Sequence, residues 1–112
     1  MAAHYTLKST KNGQFMFNLH AGNNQVILTS ETYKEKKSAL GGIESVRKNS
    51  ALDDRYNRKV AANGQHYFVL LAGNKEPIGK SEQYKSKSSM EKGIRSVKKN
   101  GPGAAVKDTC EG

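Results

Sequence analysis

The chain is written twice. Residues 12–50, "NGQFMFNLHAGNNQVILTSETYKEKKSALGGIESVRKNS", lie above residues 63–101, "NGQHYFVLLAGNKEPIGKSEQYKSKSSMEKGIRSVKKNG", without a gap at an offset of 51, and 21 of the 39 positions are identical. Two copies are too few for a solenoid, so the pattern is a tandem duplication of one supersecondary unit. Whatever fold the chain adopts must satisfy the same local signals twice. It must also bury two similar apolar faces, and 112 residues suffice for one modest core. A single domain follows, made of repeat one at 4–53 and repeat two at 54–108.

Each unit carries the same succession of signals. A short strand at 4–9 or 55–61 runs into Asn12-Gly13 or Asn63-Gly64, the dipeptide that marks a tight hairpin. A second strand follows at 14–21 or 65–72, with Phe17 and Leu19, or Phe68 and Leu70, on one face because side chains alternate. "AGN" makes another turn, and a third strand is expected at 25–30 or 76–81. Ala39, Ile43 and Val46, matched by Met90, Ile94 and Val97, recur at i, i+4, i+7 and predict helices over 35–48 and 86–99. Ser86 is placed to cap the second helix, where the first has Glu35. Asn49 and Asn100 stand at the other ends, positions suited to a left-handed terminus.

A second helical stripe consists of small residues. Ser38, Gly42, Ser45 and Asn49 reappear unchanged as Ser89, Gly93, Ser96 and Asn100. Glycine inside a helix costs about 1 kcal/mol relative to alanine, so close approach of another element should compensate. The expectation is that the two helices lie side by side on one sheet and meet along Gly42, Ser45, Gly93 and Ser96. The alternative is a loop or strand end packed over each glycine.

"AGNKEPIGKSE", residues 72–82, imitates a phosphate-binding loop, but five residues instead of four separate Gly73 from Gly79-Lys80-Ser81. Pro77 removes an amide donor, Glu76 puts negative charge where phosphate would sit, and the sister copy reads "AGNNQVILTSE". The stretch is a hairpin. His4, His20 and His66 show no metal-ligand spacing, and neighbouring Asp53 and Asp54, which would point opposite ways on extended chain, read as a solvated turn and not as a carboxylate pair. Cys110 lacks both an intramolecular partner and an evident activating base, which excludes an internal disulfide framework and suits a cytoplasmic protein. The opening residues lack the apolar run of a secretory signal, and no run is long enough for a membrane helix. No catalytic constellation, cofactor motif or metal site emerges, so the expectation is a non-enzymatic protein.

Charge is the remaining functional signal. The net charge is +9, with +5 on residues 63–101 against +2 on residues 12–50. Opposite the Met90–Ile94–Val97 stripe stand Lys92, Arg95 and Lys99, with Lys85, Lys87 and Lys98 nearby; the first helix has Gly41, Glu44 and Lys48 at the equivalent places. Such a face either is merely solvated or binds nucleic acid or another polyanion. A second candidate is the sheet surface facing away from Phe68 and Leu70. Copy one shows Met16, Asn18 and His20 there, whereas copy two shows Tyr67, Val69 and Leu71. Those three are covered by the chain itself or available to a protein or small-ligand partner. An enzyme of unrecognised chemistry is the third reading.

"DDRYNRKVAANGQHYFVLLAGNKEPIGKSEQY", followed by "KGIRSVKKN", resembles the YegP-like family of small uncharacterised bacterial proteins, with "GIESVRKN" in the first copy. Gly41 departs from the polar residue usual before the helical glycine. The resemblance implies an α+β fold of two βββα(β) repeats. These form one antiparallel sheet with exchanged C-terminal strands, near 51–59 and 103–108, and two helices on one face. It implies a monomer, and it brings no activity and no catalytic residues.

Overall fold

The computed structural model describes residues 3–109. Repeat one folds as β1 (His4–Ser9), β2 (Phe15–His20), β3 (Val26–Ser30) and α1 (Lys36–Asn49). A single 3-10 turn at Asp53–Arg55 leads into repeat two: β4 (Tyr56–Val60), β5 (His66–Leu71), β6 (Pro77–Lys80), α2 (Lys87–Asn100) and β7 (Ala105–Asp108). All seven strands join one sheet in the order β4-β5-β6-β3-β2-β1-β7. The repeats meet antiparallel at β3 and β6, where Thr29 faces Lys80 and Ser30 faces Gly79. They are thus related by a local two-fold axis through that seam.

The four hairpins share one loop design, three residues long with the third in the left-handed region. Gly13 and Gly64 have φ of 79° and 82°, and Asn24 and Lys75 have 69° and 70°. In each loop the amide before the turn donates to the carbonyl after it, as from Thr10 to Gln14 at 2.7 Å and Ala72 to Glu76 at 2.9 Å. The left-handed residue fixes register, because it sets which strand residues face each other.

Both helices rest on the same face. Phe17, Leu19, Leu28, Phe68 and Leu70 from the sheet and Ala39, Ile43, Val46, Met90, Ile94 and Val97 from the helices form one continuous core. Neither repeat has an interior of its own.

The exchange of last strands holds, with one difference in direction. β4 follows repeat one and serves as the first strand of repeat two, while β7 returns to the far edge beside β1. That last pairing is parallel, with Tyr5 facing Val106 and Leu7 facing Asp108, so the sheet is mixed, not wholly antiparallel. The cause is where α2 ends. The buried Tyr5 hydroxyl donates to the carbonyl of Gly101 at 2.6 Å, which brings the end of α2 close to the start of β1. From there the chain runs out in β1's own direction. Tyr56 mirrors this contact, donating to the carbonyl of Ser50 at 2.7 Å, so each repeat's first strand ties down the other repeat's helix.

Two expectations about the helices need correction. Gly42 and Gly93 do not meet another helix. A Cβ on Gly42 would stand 2.8 Å from Tyr33 Cζ and 3.0 Å from Phe17, and one on Gly93 would stand 2.8 Å from Tyr84 Cζ. Tyr33 and Tyr84 are held by backbone bridges to Phe15 and His66, and their rings lie over the glycines. Ser45 and Ser96, with those glycines, face the opposite repeat's hairpin tip across open grooves of about 290 and 300 Å³. The helices approach at their C-terminal ends instead, where a Cβ on Gly101 would lie 2.8 Å from Ser50 Cβ. Second, Asn49 and Asn100 are not left-handed: the helical backbone continues through Ser50 (φ −64°) and Gly101 (φ −57°). Their side-chain amides donate back to the carbonyls of Ser45 and Ser96, at 2.8 and 2.9 Å.

Candidate functional site

The cationic face is positioned by the start of α2. Ser86 has extended backbone and its hydroxyl accepts from the Ser89 amide at 3.1 Å, a cap that Glu35 does not make for α1. Burial of Met90, Ile94 and Val97 then fixes the helix's rotation, and Lys92, Arg95 and Lys99 point to solvent. Among the described residues none of the three makes an ion pair. They span about 10 Å of helix at 1.5 Å per residue. Lys85, in the segment before the helix, is exposed as well.

Lys98 belongs elsewhere. Its ammonium donates to Asp53 at 2.6 Å and lies 5.8 Å from the centre of the Tyr56 ring. Asp53 also pairs with Arg58, which bridges to Glu91 of α2 at 2.7 Å. Hydrogen bonds from Lys98 and Arg58 hold the Asp53 carboxyl below its ordinary value, and the Arg58 hydrogen bond does the same for Glu91. Lys87 lies by the same cluster, lining a groove with Arg58, Val60, His66 and Met90. The structure therefore brings together Lys92, Arg95 and Lys99, with Lys85 exposed before them, and separates Lys98 and Lys87 toward the β4 edge. Spacing on a helical wheel could not reveal this, because the partner Asp53 lies 45 residues away in the connector.

Tyr67, Val69 and Leu71 lie on the opposite side of the molecule, on the sheet face that bears no helix, and each is half-buried. Tyr67 and Val69, with Ala61, Ala62, Lys80 and Gln83, line an open groove of about 410 Å³. A row of outward residues crosses the whole sheet here: Asn57, Val69, Lys80, Thr29, Asn18, Thr6 and Lys107. Its middle is tied by Asn18 donating to Thr29 at 2.9 Å. Lys80 and Lys107 give this face a positive tint missed in the sequence, although strand alternation alone would have placed them there.

His4 and His20 stack on that face, ring centres 4.6 Å apart, while His66 belongs to repeat two. Among the described residues no group of three or more His, Cys, Asp or Glu side chains could hold a metal ion, and no helix is long and apolar enough to cross a membrane. Asp53 and Asp54 sit in the 3-10 turn, where Asp54 pairs with Arg55 at 3.2 Å. Cys110 lies outside the described residues.

Comparison with known proteins agrees with the duplication. The model of a family described as a domain of unknown function, DUF1508, matches the chain twice, over residues 10–57 and 61–108. The chain is 54% identical over 108 residues to a UPF0339 protein of Pseudomonas aeruginosa, covering 96% of this chain and 98% of that one. It is 49% identical to the UPF0339 protein YegP of Escherichia coli, again over 108 residues, with coverage of 96% and 98%. The solution NMR structure of E. coli YegP, a protein of unknown function, superposes with a TM-score of 0.94 at 47% identity, covering 100% of this chain and 97% of that one. The UPF0339 protein SO3888 of Shewanella oneidensis gives a TM-score of 0.92 at 45% identity, with coverage of 98% and 93%. None of these relatives is named for an enzymatic activity.

Proposed function

The chain belongs to the DUF1508 family, and from that footing we propose that it is a non-catalytic module that binds nucleic acid or a similar polyanion through the outward face of α2. The observation that carries the reading is the line of Lys92, Arg95 and Lys99, exposed and unpaired among the described residues. Cations already paired to carboxylates gain little from a phosphate, whereas free ones release condensed counterions when they meet it. The protein acts in this reading as a cytoplasmic monomer, since repeat two completes repeat one's sheet within the chain.

Binding of labelled single- and double-stranded oligonucleotides across a salt series tests it. Each lysine or arginine contact to B-DNA contributes about 0.9 to the log–log salt slope, so replacing all three residues by alanine should flatten the slope by about 2 to 3. An unchanged slope ends the proposal. A second reading, a protein- or small-ligand-binding site at Tyr67 and Val69, is favoured by the groove on the helix-free face. Binding there should respond to Tyr67→Ala and be nearly indifferent to salt.

A further inference from the structure

The two-fold axis makes β4 the equivalent of β1, yet the two strands end up differently dressed. The outer edge of β1 is occupied by β7, in parallel, and the ladder is extended by the Thr109 amide donating to the carbonyl of Leu7 at 2.9 Å. At the end of that strand, Asp108 forms an ion pair with Lys36 in the first turn of α1. β4 stands at the opposite end of the sheet, and no strand among the described residues covers its outer edge.

The reason is in the connector. Asp53 corresponds to Ala104 in the repeat, and the two occupy equivalent places: Arg47 donates to the carbonyl of Ala104 at 2.8 Å, and Lys98 donates to the carboxylate of Asp53 at 2.6 Å. After Ala104 the chain runs on beside β1. After Asp53 it cannot run beside β4, because it must become β4, and the 3-10 turn at Asp53–Arg55 makes that reversal. From Tyr56 onward the edge is left with the fittings of an occupied one. Lys87 is the equivalent of Lys36 and makes no ion pair within 4.0 Å among the described residues. Beside it lies a groove of about 270 Å³ lined by Arg58, Lys59, Val60, His66, Lys87 and Met90, with Val60 63% exposed. The nearby carboxylates, Asp53 and Glu91, are both engaged by Arg58, and Lys98 adds a further cation.

We propose that the outer edge of β4 is a docking site for an extended segment of a partner protein that carries a carboxylate in the register of Asp108, added as a strand parallel to β4. Bare edge groups supply main-chain hydrogen bonds, and flanking side chains supply selectivity. β7 fixes the register: an apolar residue opposite Tyr56, as Val106 is opposite Tyr5, and a carboxylate opposite Arg58, as Asp108 is opposite Leu7. That carboxylate reaches Lys87 as Asp108 reaches Lys36. The site is distinct from the Lys92–Arg95–Lys99 face and does not depend on it.

A labelled, end-blocked peptide with the sequence of residues 103–109, titrated into the full chain and followed by backbone amide shifts, tests the inference. The expected result is perturbation centred on Tyr56–Val60 and Lys87. Binding should weaken about fivefold when the peptide's aspartate is replaced by asparagine, or when the protein carries Lys87→Ala, the scale of one favourable surface charge contact. Lys92→Ala should leave it unchanged. The proposal is overturned if shifts appear at β1 instead, meaning displacement of β7, or if millimolar peptide produces none. It is equally overturned if asparagine binds as well as aspartate, or if sedimentation shows the edge already filled by a second copy of the chain.

Discussion

Repeats one and two agree in the contacts that hold each unit together and in the tyrosines that tie each to the other's helix, and differ where a position meets its own equivalent. The agreements are close in detail. Tyr33 and Tyr84 cover Gly42 and Gly93. The hydroxyls of Ser30 and Ser81 accept from the amides of Phe17 and Phe68, at 2.9 and 3.0 Å. Tyr5 and Tyr56 each hold the other repeat's helix end. At the axis, equivalent positions face one another, and there the copies have become complementary. Leu28 lies against its own equivalent, Gly79, and Ser50 lies against its own equivalent, Gly101. In each pair one side has a side chain and the other has none. A symmetric pairing of repeat one with itself would crowd two leucines at the seam, and repeat two with itself would leave a gap. Duplication within one chain allowed both problems to be solved by making the halves unlike.

That contrast breaks most sharply at the seam. A Cβ on Gly79 would stand 2.8 Å from the Thr29 carbonyl oxygen and 3.2 Å from Leu28 Cγ. Gly79→Leu should therefore cost about 3 kcal/mol in urea unfolding, the upper range for overfilling a packed site. Combining it with Leu28→Gly should recover some of the loss, giving a strongly non-additive cycle. At the helix ends, Gly101→Ala should cost about 2 kcal/mol and be relieved by Ser50→Gly. Ser50→Ala alone should be neutral or stabilise by up to about 1 kcal/mol, because the buried Ser50 Oγ has no hydrogen-bond partner among the described residues.

The shared contacts should respond alike in both halves. Tyr5→Phe and Tyr56→Phe should each cost about 1 kcal/mol, and a large difference between them would show that the exchange is not symmetric in energy. Burial pushes both phenols well above the ordinary 10.0. A raised folded value means that their contribution is intact below pH 10 and declines as pH rises beyond it, so the phenylalanine variants should lose less stability than the parent in alkaline melts. The smallest expected effect separates two equivalent turns. Lys75 has φ of 70° where Asn24 has 69°, and asparagine tolerates that region better than lysine. Lys75→Asn should stabilise by about 0.5 kcal/mol and Asn24→Lys should reverse it, both measurable as shifts in Tm.

Most local features were legible because their causes are local. Asn-Gly, strand alternation and the i, i+4, i+7 stripes act within a few residues, and the strands and helices fall within a residue or two of where those signals put them. The partner of the helical glycines was misjudged because its signal is a conjunction: Tyr33 and Gly42 are both repeated identically, nine residues apart, and only the bridge to Phe15 brings them together. The fate of Lys98 was hidden for the opposite reason, since Asp53 has no acidic counterpart at Ala104. The direction of β7 depends on where α2 ends, which periodicity does not encode. At the candidate face, Lys92, Arg95 and Lys99 could be placed from the wheel because a buried stripe on one side fixes the rotation of the other.

The parallel pairing of β1 with β7 has a mechanical corollary. Among the described residues, β1 and β7 are the first and last strands and lie side by side pointing the same way, so tension applied to the chain before β1 and after β7 slides one along the other. Under that geometry every bond between them shares the load and all must rupture together. Antiparallel ends would instead come apart rung by rung, like a zip. The molecule should therefore resist stretching from its termini more stiffly than its modest core suggests.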